Sequence, residues 1–338
     1  MTETALSHDP LWPRAGGWPA FDAMPTDARA ALAILGVPAF RTSLSPTNAH
    51  ATPAAIRDAL QRYSPALVPD RSRDIGSDRP PGGLDLGDLR VVDAGDVHEP
   101  DGAAGEARTR ARVHEVLARS EAIMALGGDN SITVATALGA WGDDLATAGL
   151  VTIDAHYDLR DGVSNGSPVR RLVEAGLDPA RIVQIGIQDF ANSAAYARRA
   201  ADLGITVMHR DELHHRYHPS IAMAEALEIA GAAGGPVHLD VDVDACDRSA
   251  VPACPASLPG GLAAWELRAY VRAAALDPRV RSADLVEIDA TADAADGRTV
   301  RLAALCVLEF AAGVACRLLP GPEEPTAIDP DDGRSARG

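Results

Sequence analysis

Cysteine is scarce in this chain: among 338 residues there are four, Cys246, Cys254, Cys306 and Cys316, with no CxxC pair and no zinc-ribbon spacing. That pattern excludes a disulfide framework and a sulfur-bound structural zinc, and leaves the thiols to packing. Basic charge is also in deficit, with 31 Lys and Arg against 48 Asp and Glu and a formal net charge of −17. A nucleic-acid partner is therefore not expected, because such proteins usually carry a basic face. No apolar run approaches the roughly 18 residues of a membrane span. The N-terminus "MTETALSHDPLWPRAGG" has neither the basic start nor the apolar stretch of a secretion signal. A cytoplasmic protein with no membrane partner is the expectation.

What the chain does have is 46% hydrophobic content, enough for a large core. Short apolar runs recur: "ALAILGV", "LRVVDAG", "EAIMALGG", "GLVTIDA", "RIVQIGI", "GITVMH", "PVHLDVDV" and "ADLVEIDA". Each is bounded by Gly, Pro or charge, as in strands of a parallel sheet covered on both faces. Between them lie helix-like segments such as "TPAAIRDALQRYS", with a Thr–Pro start, and "SAAYARRAADLG", which opens on Ser and closes on Gly. This β-α alternation fits an open doubly wound sheet or a closed eight-stranded barrel, and both place function at strand C-termini. A single domain over residues 1–320 is expected, with a disordered acidic tail over 321–338. Residues 68–87, rich in Pro, Gly and Asp, are expected to be irregular, as a lid or a surface insertion.

The chemistry concentrates where two of these runs end. In "DAHYD", Asp154, His156 and Asp158 stand at alternate positions, so an extended chain projects them on one side. In "HLDVDVDACD", Asp240, Asp242 and Asp244 repeat the spacing. Clustered carboxylates repel one another and are costly to desolvate, so they either raise their own pKa values or collect cations. Oxygen donors with one imidazole suit Mn²⁺ or a similar divalent ion. Two ions sharing bridging carboxylates would turn a bound water into hydroxide near neutral pH, which points to metal-assisted hydrolysis. By contrast, Gly127 and Gly128 lack the spacing and Lys of a phosphate loop. His214, His215 and His218 read as a polar helix end or loop rather than a metal cluster.

Four segments together, "GGDNS" (127–131), "DAHYD" (154–158), "DVDACDRSAVP" (242–252) and "VEIDATAD" (286–293), resemble the ureohydrolases, the family of arginase, agmatinase and formimidoylglutamase. The resemblance runs from about Ile34 to Leu319. It implies an open three-layer α/β/α arginase-like fold with an eight-stranded, mainly parallel sheet, two Mn²⁺ per subunit, a small amidine or guanidine substrate and a homo-oligomer. Carried over by residue, the metal ligands are Asn130, Asp154, His156, Asp158, Asp242 and Asp244. Asp154 and Asp242 bridge, Asp158 serves the first ion, and His156 and Asp244 serve the second. Asp240 lies one alternation too early and stands behind them. Glu287 matches the acid that holds the substrate's cationic head, and Glu287 and Asp158 are the expected catalytic residues.

Two departures refine the resemblance. Asn130 stands where arginases and agmatinases have His, which implies weaker occupancy of the first metal site. Asn165, in "SNGSPVR", replaces an arginase His linked to proton transfer, which argues against arginase activity. The GGDN form, the SNGSP segment and the "FANS" after "IGIQD" look most like formimidoylglutamases, which convert N-formimidoyl-L-glutamate to L-glutamate and formamide in histidine breakdown. Asn165, Ser167, Arg160 and Arg170, with Arg171 beside it, are the expected contacts for such a substrate. The alternatives are an agmatinase or guanidino-acid hydrolase that releases urea, or a weakened family member that serves as a binding or regulatory protein.

Overall fold

The computed structural model describes residues 9–67, 83–216 and 218–318. The expected tail, and residues 68–82 of the expected irregular segment, lie outside the described residues. In chain order the strands are β1 (Ala30–Val37), β2 (Ala66–Leu67), β3 (Leu84–Asp85), β4 (Val91–Asp96), β5 (Ser120–Gly127), β6 (Gly149–Ile153), β7 (Ile182–Ile187), β8 (Thr206–His209), β9 (Val237–Asp242) and β10 (Val280–Val286). The helices are α1 (Thr52–Leu60), α2 (Gly102–Leu117), α3 (Ile132–Trp141), α4 (Pro168–Ala175), α5 (Ala194–Leu203), α6 (Arg210–Arg216), α7 (Pro219–Ala230), α8 (Ala264–Leu276) and α9 (Arg298–Leu318). The short β2–β3 ribbon is antiparallel and stands apart from the main sheet.

All eight apolar runs become strands of one parallel sheet in the order β4-β1-β5-β10-β9-β6-β7-β8. The sheet ends at β4 and β8, so it is open and not a barrel. The chain crosses from β5 to β6, winds outward to β8, and returns to insert β9 and β10 between them. A doubly wound sheet opens a crevice at the carboxyl ends of its strands at such a crossover. The polar loops after β5, β6, β9 and β10 therefore meet there.

Alternating residues divide the core into two layers. Val151, Ile153, Leu239, Val241, Ala283 and Leu285 join the cluster under α1, α7, α8 and α9. Ile123 and Ala125 join the cluster of α2 and α3, and Leu150 joins that of α3, α4 and α5. By length and composition α9 is apolar enough to cross a membrane, yet 78% of its most apolar window is buried inside the fold, as in a core helix. Burying a side chain such as Phe310 contributes on the order of 1.5–3 kcal/mol. The acid that α9 carries at its middle, Glu309, is held by Arg268 and Arg272 of α8.

Local signals explain the ends of several elements. Ser193 caps α5 by accepting the Tyr196 N–H, and Gly204 closes it at φ 78°. His218 caps α7 by accepting the Ser220 N–H, in keeping with a polar helix end. The paired glycines at the end of β5 are steric: a Cβ on Gly128 would stand 2.2 Å from the Ala39 carbonyl oxygen, and one on Gly127 would stand 2.8 Å from Val286.

Candidate metal centre

Strand geometry delivers the acids. Asp154 follows β6 directly and Asp242 is the last residue of β9, and both are buried. Asp242 accepts the Asp244 N–H at 2.8 Å, which turns the chain so that Asp244 comes back over the strand end. Asp244 then accepts the Ala155 N–H at 3.0 Å, tying the β9 loop to the β6 loop. His156 Nδ1 lies 2.7 Å from Asp244 and 3.5 Å from Asp154. Donor atoms of Asp154, His156 and Asp244 all fall within 4.8 Å of one another.

Asp158, which lines the same cavity, has a left-handed backbone conformation at φ 52°, and Glu287 adopts another at φ 66°. Two non-glycine residues in that region cost of order 1–3 kcal/mol each, and such strain is commonly stored at functional sites. Asp158 and Glu287 are 6% and 5% exposed, so the strain is held by buried surroundings.

The electrostatics are those of a cation trap. Burial, then the charge of Asp244, pushes Asp154 up to about 6. Burial and neighbouring acids hold Asp158 and Asp242 well above the carboxylate range. The Asp244 charge pushes His156 up to about 12. Burial works to raise Asp244, but His156 and its hydrogen bonds outweigh it and leave it below the usual value. Glu287 rises to about 8, chiefly through burial and secondarily through Asp129. Protons here stand in for positive charge that a divalent ion would supply. The donor set fits such an ion: carboxylate oxygens of Asp154 and Asp244 with the imidazole of His156, grouped at the strand ends.

A cavity of about 310 Å³ opens onto these groups. His156, Asp158, Asp242, Asp244 and Glu287 form its floor, with Arg160, Asn165 and Tyr196 among its walls. Glu287 accepts the Asn130 N–H at 2.7 Å and the Asn165 side-chain N–H at 2.9 Å, both on Oε1. Asn165 also accepts the Leu44 N–H at 3.0 Å, which draws the wall around Leu44 and Ser45 against the Glu287 side.

Several expected site residues take other places. The Asn130 amide donates to Asp158 at 2.6 Å and accepts from the Thr133 hydroxyl at 2.7 Å, which ties it to one of the expected ligand acids. Ser167 is buried and its hydroxyl bonds the backbone N–H and carbonyl of Ser164, closing a turn outside the cavity. Arg170 is spent on the carbonyls of Arg160 and Gly162 and on Glu174. Arg171 pairs with Glu106 at 2.8 Å. In each case a near partner satisfies the side chain. Arg160 alone of the three arginines lines the cavity, and its guanidinium makes no ion pair among the described residues.

Other participants carried little or no sequence signal. Asn192 lines the cavity and holds the DAHYD turn by accepting the Tyr157 N–H at 3.1 Å and donating to the Ala155 carbonyl at 2.8 Å. It belongs to the "FANS" segment. Leu44, Ser45, Tyr196 and Ala256 also line the cavity, and nothing in their local sequence marks them.

Comparison with known proteins agrees with this geometry. The arginase family description matches residues 30–313. The formimidoylglutamase of Halobacterium salinarum is 35% identical over 317 residues, covering 92% of this chain and 97% of that protein. The formimidoylglutamase of Halalkalibacterium halodurans is 31% identical over 289 residues, covering 83% and 86%. The crystal structure of formimidoylglutamase from Bacillus subtilis superposes with a TM-score of 0.76 at 28% identity, over 88% of this chain and 91% of that one. Sheet order, the acids at the strand ends and relatedness along most of the length converge on one statement: this chain belongs to the arginase family.

Proposed function

We propose that this arginase-family hydrolase, which acts on carbon–nitrogen bonds of amidines, cleaves N-formimidoyl-L-glutamate to L-glutamate and formamide with two Mn²⁺ ions per subunit. The observation that carries the reading is the pairing, in one cavity, of a carboxylate trap with an arginine, Arg160, that has no ion-pair partner among the described residues. Asp154, His156, Asp158, Asp242 and Asp244 would hold the metal, while Asn130 fixes Asp158 from behind. Bound there, divalent manganese lowers the pKa of water and polarises an electrophilic carbon.

The chain's own groups would do the rest. Glu287 keeps Oε1 occupied by two N–H donors and leaves Oε2 with no hydrogen-bond partner among the described residues. That fixes its rotamer and offers one oxygen to a cationic formimidoyl nitrogen. Arg160, at the cavity wall, suits a carboxylate of the substrate. Ordering the substrate between these charges converts binding energy into orientation at the reacting carbon. The same reading expects a cytoplasmic homo-oligomer.

The test is product identity. Mn²⁺-loaded protein should release formamide from N-formimidoyl-L-glutamate faster than it releases urea from arginine, agmatine or guanidinobutyrate. Faster urea release from any of these would replace the substrate and keep the chemistry, whereas inertness toward all four would refute the reading.

A further inference from the structure

Arg160 is fastened to the cavity wall through its backbone. Its N–H donates to the Gly166 carbonyl at 2.9 Å, and its carbonyl accepts from Arg170 Nε at 2.6 Å. On one side the Leu159 carbonyl accepts from Arg199 Nη1 at 2.6 Å, and on the other the Asp161 carboxylate accepts from the same nitrogen at 2.9 Å. Residues 159–161 are thus clamped from α4 by Arg170 and from α5 by Arg199. Arg199 also covers the ring of Tyr196 at 5.5 Å, and Tyr196 lines the cavity.

The side chain has a bed as well. Gly166 lines the same cavity, and a Cβ on it would stand 2.7 Å from Arg160 Cδ, 3.1 Å from Nε and 3.4 Å from Cγ. The three nearest atoms would all belong to that one side chain. Gly166 is not among the glycines with positive φ, so its backbone would admit a side chain. What the missing Cβ leaves is room for the Arg160 stem. A long cation ordinarily loses rotamer freedom when it grips an anion, and one already laid in place loses less.

We propose that Gly166 and Arg199 are positioning residues that seat Arg160 as a fixed receptor for a substrate carboxylate, and that this seat sets a preference for carboxylate-bearing amidines over uncharged ones. The seat presupposes the hydrolase reading above and adds the two residues by which the chain selects the far end of its substrate.

Two substrates and one ligand test it: N-formimidoyl-L-glutamate; N-butylformamidine, which has the amidine head and no carboxylate; and L-glutamate, whose binding to Mn²⁺-loaded protein calorimetry reads without turnover. Gly166→Ala should raise KM for N-formimidoyl-L-glutamate about tenfold with a smaller change in kcat, and weaken L-glutamate binding by a similar factor. The ratio of kcat/KM between the two substrates should fall by about as much. Arg199→Met should move that ratio the same way, and Arg199→Lys, which keeps a charged donor for Leu159 and Asp161, should recover most of it. Manganese content is measured in every variant, because Leu159 follows Asp158, and should match the wild type. Unchanged KM and unchanged L-glutamate binding in Gly166→Ala would overturn the assignment. So would equal losses on both substrates, which mark a merely structural role, or a wild type that does not bind L-glutamate. A wild type that binds L-glutamate, loses it in Gly166→Ala and yet releases no formamide would keep the seat and refute the substrate reading.

Discussion

Replacing Glu287 with Gln removes one charge and almost no volume. Glu287 is 5% exposed and holds both the Asn130 N–H and the Asn165 amide on one oxygen, contacts that a glutamine oxygen can keep. What Gln cannot supply is the negative charge opposite a cationic formimidoyl group. Hydrogen bonds to charged groups contribute about 1.5–3 kcal/mol, and breaking a buried charge pair costs about 3–5. At about 1.4 kcal/mol per tenfold, a loss of about 3 kcal/mol lowers kcat/KM about a hundredfold. Formamide release measured over a range of substrate concentrations, together with manganese content, reads this directly. Bound manganese should be unchanged, because Glu287 is outside the proposed ligand set. If kcat/KM stayed within about threefold of wild type, Glu287 would not face the reacting group and its place in the mechanism would be lost.

Three further outcomes follow from the geometry. Asp154→Asn or Asp242→Asn should cost most of the bound manganese and abolish turnover; metal-stripped Asp154→Asn with wild-type turnover would end the dinuclear account. Arg160→Ala should raise KM for N-formimidoyl-L-glutamate about tenfold or more while leaving kcat closer to wild type, and an unchanged KM would remove Arg160 from the cavity's work. Metal-stripped protein should lose stability as pH rises from about 4 to about 8. Asp154 and Glu287 sit at about 6 and about 8 when folded, above their unfolded values, so the folded state binds the extra protons and loses that advantage as they leave. His156 acts in the same direction, and saturating Mn²⁺ should flatten or reverse the slope, which a series of unfolding curves would show.

Much of the centre was legible because strand chemistry is local. Asp154, His156 and Asp244 do meet, but through turns and not an extended chain: Asp154 accepts the His156 N–H and Asp242 accepts the Asp244 N–H just past the ends of β6 and β9. The open sheet was not legible from periodicity alone; it follows from how β9 and β10 insert, which is a matter of long-range order. Side chains whose role depends on a distant partner were hidden for the same reason. Asn130 matches a ligand position, and its bonds to Thr133 at the start of α3 and to Asp158 across the cleft could not be read from the sequence. Arg170 looked like a substrate anchor, yet its own loop's carbonyls are nearer. Leu44 enters the cavity wall only because Asn165, 121 residues later, accepts its N–H. Asp240 shows in "HLDVD" as part of an alternation, but that it is fully buried is visible only in the fold.

The central claim is that clustered acids hold two ions whose water attacks an amidine carbon. The most direct measurement is a stoichiometric Mn²⁺ titration of metal-stripped protein, with formamide release from N-formimidoyl-L-glutamate as readout. Activity should be absent without metal and should plateau once two equivalents per chain are bound. Undiminished release by metal-stripped protein, or a plateau at one equivalent, would contradict it.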